Sequence, residues 1–266
     1  MKFIDIHTHF FPDEIGPKTI EHLKNHSKEV IVSYGNGTLS SLKEYMQRDG
    51  VSISVNSPVA TKPEQVLHIN RRMIEYNKSK DNVICFGAMH PDFSSVGNVE
   101  EEIEFIAKAG IKGIKLHPEY QQFYPDDAKY YKIYEACKKN NLIILFHAGA
   151  DFAFPQTHAT PQRLAEVAKI KDLKLIFAHM GGYRMWDDVM KYIAGTDVYL
   201  DTAYCAEMKD EMLVKMIIKH GPDKVLFGTD FPWETAANIK SKLENLIDEN
   251  VKEMIYHTNA EKLLGI

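Results

Sequence analysis

Cysteine is scarce in this chain of 266 residues: there are three, Cys85, Cys137 and Cys205, far apart and forming no CxxC pair. That count and spacing argue against a disulfide framework and fit a reducing compartment, so a cytoplasmic location is the default expectation. Long apolar runs are missing too. None approaches the length that spans a bilayer, and the opening "MKFIDIHTHF" has no signal-peptide apolar stretch. No polybasic tract occurs and the formal net charge is −5, which argues against nucleic-acid partners and an electrostatic membrane anchor. A P-loop and a GxSxG elbow are also absent, and the cysteines have no positioned histidine, so those nucleotide-binding and nucleophilic classes fall away.

What is present is a rhythm. Short apolar segments recur at 2–7, 51–56, 82–89, 111–117, 142–147, 173–179, 197–202 and 224–229, most of them unbroken and rich in Ile, Val, Leu and Phe. Strands buried on both faces of a parallel sheet read this way. Helix-like stretches lie between them. Segment 99–110 closes on Gly110, 126–140 starts with acids and ends with lysines, and 160–170 offers Thr160 as N-cap with Pro161 at the first helical position. Eight strands alternating with helices over this length predict a single-domain (β/α)₈ TIM barrel spanning 1–266, with its site at the C-terminal strand ends. The competing doubly wound sheet usually carries a Gly-rich turn after its first strand, and here that turn is "HTHFFPDE". Residues 10–50 are expected to form loop and helices over the barrel mouth. Barrels of this size often form homodimers, and "FFP" (10–12) is a candidate for an interface or a lid.

The strand ends carry the chemistry. Strict alternation along the first strand puts Asp5, His7 and His9 on one face and Ile4 and Ile6 on the other. The fourth strand carries Lys115 and His117, two apart and so on one face; the fifth ends in His147, the sixth in His179, and Asp230 follows the eighth. Each has an ordinary reading alone, as surface or core histidine, ion-paired lysine or turn aspartate. Together they place five of the 12 histidines at one rim. Neutral imidazoles with a carboxylate suit a divalent first-row cation, zinc first, with manganese or iron as alternatives.

The motifs "DIHTHF" (5–10), "GIKGIKLHPEYQQFYPDD" (110–127), "LFHAG" (145–149), "FAHMGG" (177–182), "YLDTA" (199–203) and "LFGTDFPW" (226–233) follow one another in an order that resembles the amidohydrolase superfamily. The likeness covers nearly the whole chain and is to the branch that includes aminocarboxymuconate-semialdehyde decarboxylase and many uncharacterised hydrolase-like members. By that resemblance His7, His9, His147 and Asp230 are metal ligands, and His179 stays off the metal as base or electrophile in one-metal members. Two-metal members bind a second ion through that histidine and a carbamylated lysine on the fourth strand. Lys115 is taken as uncarbamylated, beside one metal.

These readings give a first expectation of a metal-dependent hydrolase acting on a small amide, lactone or ester that bears a carboxylate. Asp230 and His179 would be its catalytic groups, and Lys115, His117 and Arg184 would offer positive charge to the substrate, Arg184 reading equally as a surface residue at a helix start. Tyr183, Trp186 and Trp233 are candidate walls. The alternative is a non-oxidative decarboxylase on the same scaffold. A barrel that only binds a ligand is a third reading, disfavoured because every member of the constellation is present.

Overall fold

The computed structural model describes residues 2–28, 30–79 and 81–266. Every apolar segment singled out above contains a strand: β1 (Ile4–Thr8), β2 (Ile53–Asn56), β3 and β4 (Val83–Cys85 and Gly87–Ala88), β5 (Gly113–Leu116), β6 (Ile143–Phe146), β7 (Lys174–Phe177), β8 (Tyr199–Asp201) and β9 (Val225–Leu226). β3 and β4 are one barrel position interrupted at Phe86. All pairings are parallel, in the orders β1-β2-β3 and β4 through β9. The chain's last strand returns to its first: Ile6 N donates to Phe227 O at 2.9 Å, Asp230 N donates to His7 O at 2.8 Å, and Thr8 bridges Phe231 in parallel. This is the TIM barrel.

The helices follow local chemistry. Asn98 caps α4 (Val99–Lys108) by accepting from Glu100 N and Glu101 N, and Gly110 turns the chain just beyond it with φ of 92°. Thr160 caps α7 (Pro161–Val167) as its sequence predicts. Asp127 caps a short 3₁₀ turn, so α6 (Tyr131–Lys139) starts five residues later than the acidic pair suggests. Within 10–50, α1 (Gly16–His26) covers the barrel mouth, whereas α2 (Leu39–Asp49) packs Leu42, Tyr45 and Met46 into the core. Phe10 is buried in that core and Phe11 lines the cavity at the mouth. The three cysteines are buried and free. Among the described residues, no helix is long and apolar enough to cross a membrane.

Alternation fails within β1. β1 pairs Asp5 with Ser54 and Thr8 with Asn56, so three steps on β1 meet two on β2. This bulge changes the phase of the strand. Before it, Ile4 and Ile6 join Val55, Phe86, Ile143, Leu145, Ile176 and Leu226 in the inner cluster, closed below by Leu263 and Leu264 of α12 (Asn259–Leu264). Asp5 therefore faces away from the barrel axis, contrary to its expected place beside His7 and His9. It accepts from Tyr45 Oη at 2.7 Å and from Thr229 N and Oγ1 at 3.0 and 2.6 Å. After the bulge His7 and His9 face inward, above the isoleucines.

Candidate functional site

Above the apolar floor lies a cavity of about 490 Å³ at the C-terminal strand ends. Its lining includes His7, His9, Lys115, His117, His147, His179 and Asp230, brought from β1, β5, β6 and the turns after β7 and β9. Phe11, Tyr120, Phe152, Phe154, Tyr183 and Trp233 give it aromatic walls, and Thr19, His22, Leu23 and His26 of α1 close one side.

His7, His9 and Asp230 converge. Asp230 Oδ1 is 3.0 Å from His9 Nε2 and 3.4 Å from His7 Nε2, and one donor atom from each residue lies within 4.8 Å of the others. Burial pushes the Asp230 carboxyl up, but His7 and His9 outweigh it and hold it at about 2. His7 is kept well below the usual imidazole range, first by burial and then by Lys115. Asp201, fully buried on β8, takes up the other side of the His7 ring, Oδ2 to Nδ1 at 3.0 Å. A carboxylate only accepts, so the hydrogen sits on Nδ1 and Nε2 keeps its lone pair. The Lys115 ammonium, 1% exposed, lies 2.8 Å from that Nε2. Burial lowers the Lys115 pKa to about 8 despite Asp230 and Asp201.

Packing explains how these groups come so close. A Cβ on Gly228 would lie 3.2 Å from Asp201 Cβ and 3.3 Å from His7 Cβ, so a larger residue there would press on the pair. Gly149, after β6, has φ of 85°, and a Cβ there would fall 2.1 Å from Tyr183 N. The loop bearing His147 and the turn after His179 are thereby locked together.

The expected fourth ligand, His147, stands beside rather than within the His7–His9–Asp230 trio. Its Nδ1 is 3.1 Å from His179 Nε2, and His179 Nδ1 is 3.0 Å from Ala203 O. The carbonyl only accepts, so His179 Nδ1–H donates to Ala203 O, which leaves His179 Nε2 to accept from His147 Nδ1–H. The His147 Nε2 lone pair is left buried and without a partner. The unpartnered lone pair on His147, next to His7, His9 and an ionised carboxylate, fits a divalent cation.

Sequence reasoning gave no role to Asp151, Asp201 or Glu119. Asp151 groups with His117 and His147 as a second trio of donors. Those two rings stack at 4.1 Å with planes 7° apart. An imidazole binds an ion in its own plane, so parallel rings share no point at which one ion satisfies both. Glu119 lies beneath them with no exposure. Its Oε1 accepts from His158 N and Ala159 N at 2.8 and 3.0 Å, while Oε2 is 3.8 Å from both His117 Nδ1 and His147 Nε2. Burial pushes the Glu119 carboxyl up to about 7. Its position in "KLHPEY" carries no sign of burial; only the fold shows it.

Arg184 is placed differently from its expected role. It is exposed, lies outside the cavity lining, and pairs with Glu207 through Nε at 2.9 Å and a second contact at 3.1 Å. Its guanidinium backs the wall by stacking on Phe152 and Tyr183. The backbone there is left-handed, with φ of 57°. Trp186 also lies behind the wall, donating from Nε1 to His179 O at 3.2 Å, whereas Tyr183 and Trp233 line the cavity as expected.

A parallel barrel with histidines and an aspartate converging at its C-terminal mouth defines a class of metal-assisted enzymes. The family model described as amidohydrolase matches residues 4–266, and the chain belongs to that family. Nothing among curated proteins matches the chain in sequence. Solved structures share the fold at low identity. The 5-carboxyvanillate decarboxylase of Sphingomonas paucimobilis superposes with a TM-score of 0.74 at 17% identity, covering 100% of this chain and 99% of its own. An uncharacterised TIM-barrel protein of Bordetella bronchiseptica gives 0.74 at 16% identity, covering 100% and 99%. The dihydroxybenzoic acid decarboxylase of Polaromonas sp. JS666, solved with manganese and 2-nitroresorcinol, gives 0.72 at 18% identity, covering 99% and 97%.

Proposed function

We propose that this protein is a divalent-metal-dependent, non-oxidative decarboxylase of a planar aromatic carboxylate. The observation that carries the reading is the convergence of His7, His9 and Asp230 under an aromatic-walled cavity, with one buried ammonium, Lys115, at its floor. The first expectation from the sequence, hydrolysis of an amide, lactone or ester, now ranks second. Two of the proteins that share the fold are named as decarboxylases of hydroxylated benzoates, and a flat aromatic acid suits these walls.

His7, His9 and Asp230 would hold the cation, with His147 at its side. One ion is favoured over two because the His117–His147 stack offers no shared in-plane position and Lys115 already engages His7. Zinc is the first expectation from the donor set, and manganese suits the same nitrogen and oxygen donors. When bound, the cation supplies a Lewis acid that draws electron density from a substrate oxygen. Lys115 offers its ammonium to the substrate carboxylate. The carbon that loses carbon dioxide takes up a proton in exchange, and His179, with Asp230 beside it at the cation, is the group at the cavity suited to hold and pass it.

The test is incubation of manganese- or zinc-loaded protein with a panel of hydroxylated benzoates and vanillate-type dicarboxylates, with carbon dioxide release measured beside the loss of substrate absorbance. Release from at least one of them supports the reading. Turnover of amides, lactones or esters with no carbon dioxide release would return hydrolysis to first place.

A further inference from the structure

We propose that Asp201 is a positioning residue that sets two imidazoles of the site at once, fixing the ring tautomer of His7 and the backbone of His179. Each carboxylate oxygen has its own task. Oδ2 faces His7 Nδ1 at 3.0 Å, while Oδ1 accepts from His179 N at 2.9 Å and Ala203 N at 3.0 Å. The first contact keeps the His7 hydrogen on Nδ1 and its Nε2 lone pair turned towards Asp230 and Lys115.

The second task concerns strain. His179 has φ of 59° and Met180 φ of 53°, two successive non-glycine residues in the left-handed region. Such residues persist only where their surroundings over-determine them. Here the His179 N–H is held by Asp201, its carbonyl by Trp186 Nε1, and its ring by Ala203 O. Asp201 also ties down Ala203, whose carbonyl orients the His179 ring. One buried side chain thus keeps His7 Nε2 an acceptor, engaged here by Lys115, and makes His179 present Nε2 towards His147.

An isosteric amide, as in Asp201→Asn, cannot do both. With the amide oxygen facing the two backbone N–H groups, the NH₂ would face His7 Nδ1. That would move the His7 hydrogen to Nε2 and spend the lone pair needed for the cation. In the reverse orientation, the NH₂ would oppose two N–H donors.

The inference rests on the reading of His7 as a cation ligand, so the experiment separates the two. Nitrogen-15 NMR of histidine-labelled, chelator-treated protein reads the His7 tautomer, and calorimetric titration with manganese chloride reads affinity, in wild type and in Asp201→Asn. The expected result is an Nδ1–H tautomer in wild type, an Nε2–H tautomer in the variant, and about 10- to 100-fold weaker manganese binding. An Nε2–H tautomer in wild type, an unchanged tautomer in the variant, or affinity within about threefold of wild type overturns the proposal. Failure of wild type to bind manganese overturns the functional reading, while the tautomer arm still decides the positioning role. Should Asp201→Asn not fold, Gly228→Ala keeps every polar group and crowds the Asp201–His7 pair. Weaker manganese binding then supports the proposal and unchanged binding refutes it.

Discussion

Replacing Lys115 with methionine is predicted to stabilise the cation-free protein while removing its activity. The ammonium is buried beside His7, and burial lowers its pKa to about 8 from an ordinary 10.5. At about 1.4 kcal/mol per pH unit, keeping that charge inside costs the fold about 3 kcal/mol at neutral pH. Methionine has no charge to bury and a similar length, but its thioether leaves His7 Nε2 without a donor, a loss of about 1–2 kcal/mol. The net gain is therefore about 1–2 kcal/mol, or about 3–6 °C in Tm for a chain of this size. The folded pKa lies below the unfolded one, so the cost to wild type is complete below pH 8 and is lost as pH rises towards 10.5. The advantage of Lys115→Met should accordingly be level from about pH 6 to 8 and gone by about pH 10. Urea and thermal unfolding of chelator-treated proteins, followed by circular dichroism across that range, would measure it. Turnover of the manganese-loaded variant should fall by about 100-fold or more if the ammonium stabilises developing charge. A variant less stable than wild type at pH 7, or an advantage that does not decline with pH, would refute the assignment of a buried charge to Lys115.

Other consequences follow from the same geometry. His9→Ala should lower bound metal from about one ion per chain to a trace by elemental analysis, a larger loss than the 10- to 100-fold expected for an outer partner. Dialysis against a chelator should abolish activity in wild type, and added manganese should restore it. Arg184→Ala should change stability by no more than about 0.5 kcal/mol and turnover by no more than about twofold, because its partner Glu207 is also exposed; a large rise in KM would return Arg184 to the substrate. Gly149→Ala should lower stability by about 3 kcal/mol or more, since the added methyl meets Tyr183 N at 2.1 Å. A Tm within about 2 °C of wild type would show that the loops after β6 and β7 can separate.

The barrel was legible because its strands are buried on both faces and therefore read as continuous apolar segments, most of them finishing near a histidine or aspartate. Ligand candidates were legible for the same reason: polar groups stand out at the ends of apolar runs. Long-range pairing was not. Asp201 lies 194 residues from His7, and nothing in "YLDTA" distinguishes a carboxylate that turns in to an imidazole from one that meets solvent. Glu119 is similar, because its burial depends on the backbone of His158 and Ala159. Arg184 had two readings in the sequence, a substrate anchor or a surface residue at a helix start, and its exposed pairing with Glu207 favours the second.

The bulge in β1 connects what the sequence showed with what it hid. Residues 5, 7 and 9 share one side of an ideal strand and 4, 6 and 8 share the other. A strand of that kind could turn either Ile4 and Ile6 or His7 and His9 towards the axis, but not both. This barrel needs both, the isoleucines to fill its floor and the histidines to form its site directly above. One extra residue between Asp5 and Thr8 supplies the change of phase, and it sends Asp5 outward to Tyr45 and Thr229. The motif "DIHTH" thus gives the residue types but conceals the register, because a bulge is defined only against the neighbouring strand. With Gly228 opposite, the phase change leaves just enough space for His7 to meet Asp201 on one ring nitrogen and present the other to the cavity.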